Sequence, residues 1–409
     1  MTPPSTPAPR PRRPLPARPR WPRPRAPRPE DFRAPGHAPQ VAARLGLWLG
    51  VAVAVCFGTG LASHLAQHPP AGFGWPTRPV QLYRVTQGLH VLSGVAAVPL
   101  LLAKLWAVYP RLFARPPRWR GRGRGGAGAG PASRLGPLLG HAAERASILA
   151  LLAAVFFELV TGLFNVAQSY PWRFFFPAAH YAVAWLAVGA LLAHVGVKLP
   201  VTRAALRTGY GAPAFVAERR AVLRTAVGAA GAAVLATAGV TVPGLRWLSP
   251  LAWRGADPPA GVPVNRTAAA AGVAVPPDWR LTVTHPGGSR SFSLAELAAL
   301  PQRSERLPIA CVEGWSATAT WTGVPVRALL AAAGAPAGRP VRVRSLEGDG
   351  LYASSVLPAA HARDPRTLLA LGLAGAPLTP DHGYPCRIIA PSRPGVLQTK
   401  WVTRLEVLP

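Results

Sequence analysis

Cys311 stands in the stretch IACVEGWSATATWTGVPV, residues 309–326, among small, apolar and aromatic side chains, with Glu313 two positions on. A thiolate that serves as a metal ligand needs an ordered, partly enclosed setting of this kind rather than exposed flexibility. Taken alone, one such cysteine is more often a small buried hydrophobe. The other two cysteines are Cys56, inside an apolar run, and Cys386, next to Arg387; both read as packed thiols. The Cys/His spacing of a structural zinc site does not occur.

Five histidines form the second set of chemistry-bearing residues: His64, His90, His141, His180 and His194. Each lies in or at the end of an apolar run long enough to cross a membrane, where an imidazole is costly and by default functional. Pairs of such rings at similar depth suit axial ligation of haem iron. His90 lies about five residues inside the outer end of its run and His180 about three inside its own, at about 1.5 Å per residue. The two can therefore face one another near the outer surface, with His64 competing for the same level. His194 follows His180 by fourteen residues, on nearly the same helix face and roughly 21 Å deeper. Its partner for a second haem would be His141. Interfacial placement, like that of Trp and Tyr, is an equal reading of His64 and His141. Glu158 is a further intramembrane polar residue, placed to hydrogen-bond a ligand histidine, to carry protons or to pair structurally.

The elements that must position these groups follow from the hydropathy pattern. Residues 1–41 form a Pro/Arg-rich arm unable to bury enough apolar surface to order itself. Four apolar runs follow, at 42–65, 85–108, 144–166 and 178–199, each near the twenty residues a helix needs to span hydrocarbon. The connections after the second and fourth runs are rich in Arg and Lys, whereas those after the first and third carry aromatics and few charges. The positive-inside rule then places the N-terminus in the cytoplasm and Trp75, Tyr83, Tyr170 and Trp172 in an outer aromatic belt. Gly88, Gly94, Gly162 and Gly189 would let helices or a flat cofactor approach closely. Residues 201–250 hold a basic loop and a fifth, weakly hydrophobic run preceded by Arg219-Arg220. This pattern fits either a plain fifth helix or an internal twin-arginine export signal. Both put everything after about 250 outside the cytoplasm.

From Val262 the texture turns soluble. WRLTVTH and PVRVRSL alternate as strands do, and SLAELAAL and VPVRALLAAAG predict short helices. The fold class is therefore multidomain, with a transmembrane bundle of four helices plus a fifth, and an α+β domain over 262–409. The formal charge of +30 would ordinarily raise nucleic-acid binding, but the arginines cluster beside apolar runs, where they set membrane orientation.

Residues 42–200 resemble the bacterial four-helix b-type cytochromes of the cytochrome b561 kind, in helix number and histidine placement. The Cys311 segment resembles the molybdenum-binding signature of the sulfite oxidase superfamily, in particular the branch with periplasmic methionine-sulfoxide reductase catalytic subunits. The likeness extends through PLTPDHGYPCRIIAPSRPGVLQTKWVTRLEV, residues 377–407. It implies that Cys311 is the one protein ligand of molybdenum and that His382 and Arg387 contact a molybdopterin. Gln398, Thr399 and Lys400 would wrap that cofactor. Asn265 and Ser345 match family contact positions more weakly. Arg and Lys beside turn amides are what a phosphate needs in any case. Sulfite-oxidising members carry an arginine shortly after the metal-binding cysteine, yet Val312, Glu313, Gly314 and Trp315 follow Cys311. The departure speaks against sulfite as substrate.

Together these readings imply a membrane-integral molybdenum oxidoreductase whose extracytoplasmic domain transfers oxygen atoms to or from a small molecule. Electrons would be exchanged with membrane quinone through one or two b-type haems. The competing expectation is a cofactor-free binding module on an inert helical anchor. Because the family's cofactor is inserted before export, the resemblance favours the twin-arginine reading of Arg219-Arg220.

Overall fold

The computed structural model describes residues 31–113, 131–210, 213–252, 259–348, 350 and 352–409, with backbone alone for 112–113, 131–144 and 259. The Pro/Arg-rich arm expected over 1–41 falls, up to residue 30, outside the described residues. The N-terminal part is a bundle of α1 (Pro39–Gln67), α2 (Leu82–Val108), α3 (Pro131–Val166), α4 (Phe176–Arg207) and α5 (Val216–Thr241). Among the described residues, five helices are long and apolar enough to cross a membrane. Their outward faces leave Leu149, Leu186, Leu192 and Val197 exposed, as helices solvated by lipid rather than water do.

The C-terminal part holds two sheets with short helices between them. Its elements are β1 (Leu281–His285), β2 (Gly288–Phe292), α6 (Leu294–Ala299), β3 (Arg303–Ala310), β4 (Ser316–Pro325), α7 (Val326–Ala332), β5 (Val341–Ser345) and β6 (Ser354–Leu357). They continue with α8 (Ala359–Arg363), β7 (Leu368–Leu373), β8 (Ala376–Pro377), β9 (Arg387–Ile389) and β10 (Val402–Val407). One sheet runs β2-β1-β10-β5-β6, and the other runs β3-β4-β7-β8 with β9 also paired to β7. The strands and helices expected from WRLTVTH, PVRVRSL, SLAELAAL and VPVRALLAAAG are β1, β5, α6 and α7. Ser293 and Glu296 form a capping box that starts α6, which satisfies two otherwise orphaned donors at its first turn.

The chain that ends β3 at Ala310 and begins β4 at Ser316 is a tight loop, closed by Cys311 N donating to Trp315 O at 2.9 Å and Gly314 N to Cys311 O at 3.0 Å. This loop rests on the end of the helical bundle. Gly314 has φ 92°, and a Cβ there would meet Val91 Cγ2 of α2 at 2.9 Å, so glycine is needed both for the backbone and for the close approach.

The aromatic belt is corrected in part. Trp75 donates its indole N–H to Ser392 O at 2.8 Å, and Tyr83 is 1% exposed in a cluster with Ala66 and Ala310. Both therefore pack on the C-terminal domain, because that domain covers this end of the bundle. Of the four glycines, Gly88 permits closest approach: a Cβ would meet Thr241 Cγ2 of α5 at 2.5 Å, whereas Gly189 has nothing within 4 Å. Arg219 and Arg220 lie near the start of α5. Arg219 donates to the Tyr210 carbonyl, and the Tyr210 ring lies under Arg44 at 4.1 Å and Arg220 at 4.9 Å. The twin arginine thus also ties α5 to α1 through a cation–π cluster.

Candidate active site at the junction of bundle and domain

Cys311 is 4% exposed and lines a cavity of about 500 Å³. Its sulfur accepts a hydrogen bond from Asn265 Nδ2 at 2.9 Å. The Asn265 oxygen in turn accepts from Trp315 Nε1 at 2.8 Å and Gln168 Nε2 at 3.3 Å. The amide is thereby oriented with its donor on the sulfur.

Asn265, His382, Arg387, Gln398, Thr399 and Lys400 line the same cavity. Ser345 does not; its hydroxyl donates to Lys400 O at 2.8 Å from the end of β5 and so holds the backbone behind the cavity wall. His382 is buried with both ring nitrogens in use, Nε2 on Val262 O at 3.0 Å and Nδ1 on Thr379 Oγ1 at 2.8 Å. Burial keeps its pKa below the ordinary histidine value. The Gln398 amide is clasped by Ala390 from both sides, and Thr399 Oγ1 pairs with Ser355 Oγ at 2.7 Å. These three side chains therefore shape the turn rather than offer free donors.

The cationic donors are Arg387 and Lys400. The Arg387 guanidinium, 4% exposed, donates to His382 O at 3.1 Å and Gln398 O at 3.0 Å, while its buried Nε has no partner. Burial lowers its pKa to about 9. Lys400 Nζ donates to Arg266 O and Asp381 O, which takes two of three ammonium protons. Burial, with Arg387 beside it, pulls Lys400 down to about 7. Two desolvated cations facing one cavity, one with an orphaned N–H, suit a phosphate-bearing group.

A second cavity of about 310 Å³ lies within the bundle, lined among others by His64, His90, Glu158 and His180. The rings of His90 and His180 are 6.2 Å apart at 85°. His90 Nδ1 is engaged by Cys56 O at 2.8 Å, and His180 Nδ1 pairs with Glu158 Oε2 at 3.0 Å. Each ring so held by Nδ1 keeps Nε2 for a metal, in the histidine–carboxylate and histidine–carbonyl pattern that orients metal ligands. A Cβ at Gly60 would meet His90 Cε1 at 2.8 Å, so the ring's position depends on that glycine. His64 instead stacks on Tyr181 at 3.7 Å. His194 lines neither cavity, and the side chain of His141 lies outside the described residues. Cys56, expected as a packed thiol, is half-buried against the His90 ring, its sulfur 3.6 Å from Nδ1. Cys386 is fully buried in the domain core, and burial pushes its pKa up.

Sequence reasoning missed Gln87, Asn165 and Thr241, which grip the Cys311 loop from three helices. Gln87 Nε2 and Asn165 Nδ2 each donate to Val312 O at 3.1 Å. Thr241 Oγ1 donates to Gly314 O at 2.8 Å. Their signal was available: polar side chains inside or at the end of apolar runs, all at the end of the bundle that meets the domain.

With this geometry in place, comparison with known proteins adds a class. Residues 268–409 match the family described as "Oxidoreductase molybdopterin binding domain", a range that begins three residues after Asn265. The chain is 34% identical over 117 residues to a putative protein-methionine-sulfoxide reductase subunit YedZ1 of Azospira oryzae, covering 29% of this chain and 44% of that one. It is 33% identical over 162 residues to human mitochondrial sulfite oxidase, covering 33% of this chain and 30% of that one. It is 33% identical over 133 residues to the protein-methionine-sulfoxide reductase catalytic subunit MsrP of Xanthomonas campestris, covering 28% and 40%. The chain thus spans less than half the length of these curated relatives. Its C-terminal part is an α+β domain that matches the molybdopterin-binding oxidoreductase family over residues 268–409, and among the described residues it follows five membrane-capable helices.

Proposed function

We propose that the chain is a membrane-bound molybdopterin-dependent oxidoreductase. In this reading Cys311 would be the protein ligand of molybdenum, and His90 and His180 would hold one b-type haem in the bundle. One observation carries it: Cys311 and the His90/His180 pair line two cavities that share Asn165, Phe175, Phe176, Pro177 and Val312 as common lining. When bound, the molybdenum cofactor supplies oxygen-atom transfer and the haem supplies one-electron exchange with a membrane quinol.

The protein's own residues do the rest. Asn265 orients the Cys311 sulfur through its amide donor. Arg387 and Lys400 would hold the cofactor phosphate, on a turn shaped by His382, Gln398 and Thr399 and backed by Ser345. Glu158 orients His180 and would offset positive charge on a haem bound there. Tyr170, Trp172, Phe174 and Phe175 form an apolar, aromatic approach to Cys311. Arg266, the other lining cation near it, is paired with Glu347 at 2.8 Å, and Glu313 adds negative charge. An anion such as sulfite is therefore disfavoured, and a neutral S- or N-oxide reduced at the expense of quinol fits the approach better.

The basic sequence after α2 and α4 supports a cytoplasmic location for those ends by the positive-inside rule, with the domain on the opposite face of a cell membrane. Arg219-Arg220 would serve its export. Metal analysis and a haem spectrum of the purified full chain test the proposal: stoichiometric molybdenum and a Soret band that shifts on reduction are expected. Absence of both would leave a cofactor-free module on a helical anchor.

A further inference from the structure

Val312, the residue after Cys311, is the part of the metal-site loop that both cavities touch. Its carbonyl is held twice, by Gln87 Nε2 of α2 and Asn165 Nδ2 of α3, each at 3.1 Å. The two donors are themselves fixed. Gln87 Oε1 accepts from Ser63 Oγ at 2.9 Å, and Asn165 Oδ1 accepts from Tyr170 OH at 2.9 Å. Both are nearly buried, Gln87 at 4% and Asn165 at 7% exposure, which gives a bond to a charge-free carbonyl more weight than at a wet surface. Gln87 and His90 are three positions apart on α2, and Asn165 and Glu158 seven apart on α3, so each pair shares a helix face. The loop is gripped again further on: Thr241 Oγ1 donates to Gly314 O, Ser316 Oγ donates to Thr241 O at 2.6 Å, and Gln168 Nε2 donates to Glu313 Oε2 at 2.6 Å.

We propose that Gln87 and Asn165 are positioning residues that clamp the Val312 peptide as the bridge between the bundle cavity and the Cys311 cavity, and that electrons cross between the two parts there. The helical bundle is then a structural component of the metal site rather than an anchor beside it. The inference rests on the functional reading above for what is transferred, but the clamp itself stands on contacts within the protein. With both cofactors bound, each crossing would carry one electron from the bundle to the domain. Quinol, the reductant, would lose two electrons and two protons over two crossings, and the S- or N-oxide would take up two electrons and two protons and release its oxygen as water.

The test uses the full chain in lipid nanodiscs, comparing wild type with Gln87→Met, Asn165→Leu and the double variant. Hydrogen–deuterium exchange of residues 309–317 is expected to rise stepwise from single to double variant. Molybdenum and haem are quantified in each variant, and turnover is expressed per bound molybdenum. Quinol-driven reduction of a sulfoxide is expected to fall about tenfold or more beyond any loss in the reduction driven by benzyl viologen, which can reach the domain directly. Equal losses in both assays, or no loss in either, would overturn the bridge, and unchanged exchange would overturn the clamp. A wild-type chain that binds neither cofactor would sink the functional reading and with it the electron path, and exchange would still decide the clamp. If the double variant does not accumulate, the single variants, each leaving one donor on Val312 O, decide with smaller shifts.

Discussion

Asn265 Nδ2 donates to the sulfur of Cys311 at 2.9 Å although the two residues are 46 positions apart. The contact joins the linker that enters the domain to the loop between β3 and β4. Partners of this kind around a metal ligand govern affinity and activity nearly as much as the ligand does, typically by about 10–100-fold. Asn265→Leu should therefore retain a folded domain yet lose molybdenum or turnover in that range. Cys311→Ser should lose the proposed molybdenum outright. Metal analysis alongside viologen-driven turnover separates the two, and an Asn265→Leu chain with wild-type values in both would refute the role.

Glu158 pairs with His180 Nδ1 at 3.0 Å. A carboxylate on a ligand imidazole raises its basicity and favours the oxidised metal. With the proposed haem bound, Glu158→Gln is expected to retain it and move its midpoint potential upward, by about 59 mV if the two oxidation states change their relative stability tenfold. Redox titration followed at the Soret band measures this. A downward or absent shift would show that the carboxylate has only a packing role.

Lys400 is held by burial at about 7, well below the ordinary lysine value of about 10.4. Between these two pH values the cofactor-free folded chain binds fewer protons than the unfolded chain. Its stability accordingly rises with pH across that window through this group. A phosphate monoester bound beside Lys400 reverses the shift, so binding at pH 8.5 should take up close to one proton and weaken as pH rises above about 7. Calorimetry in buffers of different ionisation heat reads the uptake, and Lys400→Met should abolish it.

Gly323 lies where the β4–β7 pairing shifts register between Thr322 and Gly323. A Cβ there would meet Leu369 O at 2.1 Å and Ala370 Cα at 2.6 Å. Both are backbone atoms of a central strand and cannot swing aside. Gly323→Ala should destabilise the domain by about 1–3 kcal/mol or more, seen as a lower midpoint in thermal or denaturant unfolding of the full chain. Gly189→Ala, with open space around it, is the control and should leave that midpoint unchanged.

The sequence by itself determined the five apolar helices, the α+β texture after Val262 and the identity of Cys311 as the conspicuous thiol. Each of these is written in local pattern: run length, alternation, and one soft ligand in an apolar loop. It also singled out His90 and His180, because a polar residue inside an apolar run is visible without a fold. Only the tertiary structure decided which histidines meet, since the facing of two helices depends on how they rotate and cross. His64 turned to Tyr181 and His194 left both cavities for that reason. The role of Asn265, the grip of Gln87, Asn165 and Thr241 on the Cys311 loop, and the use of Trp75 and Tyr83 as domain contacts were equally illegible. They arise from docking the domain onto the end of the bundle. Long-range packing of this kind leaves no periodicity in the chain, so the junction where the two cavities share Val312 emerged only when the two parts were seen together.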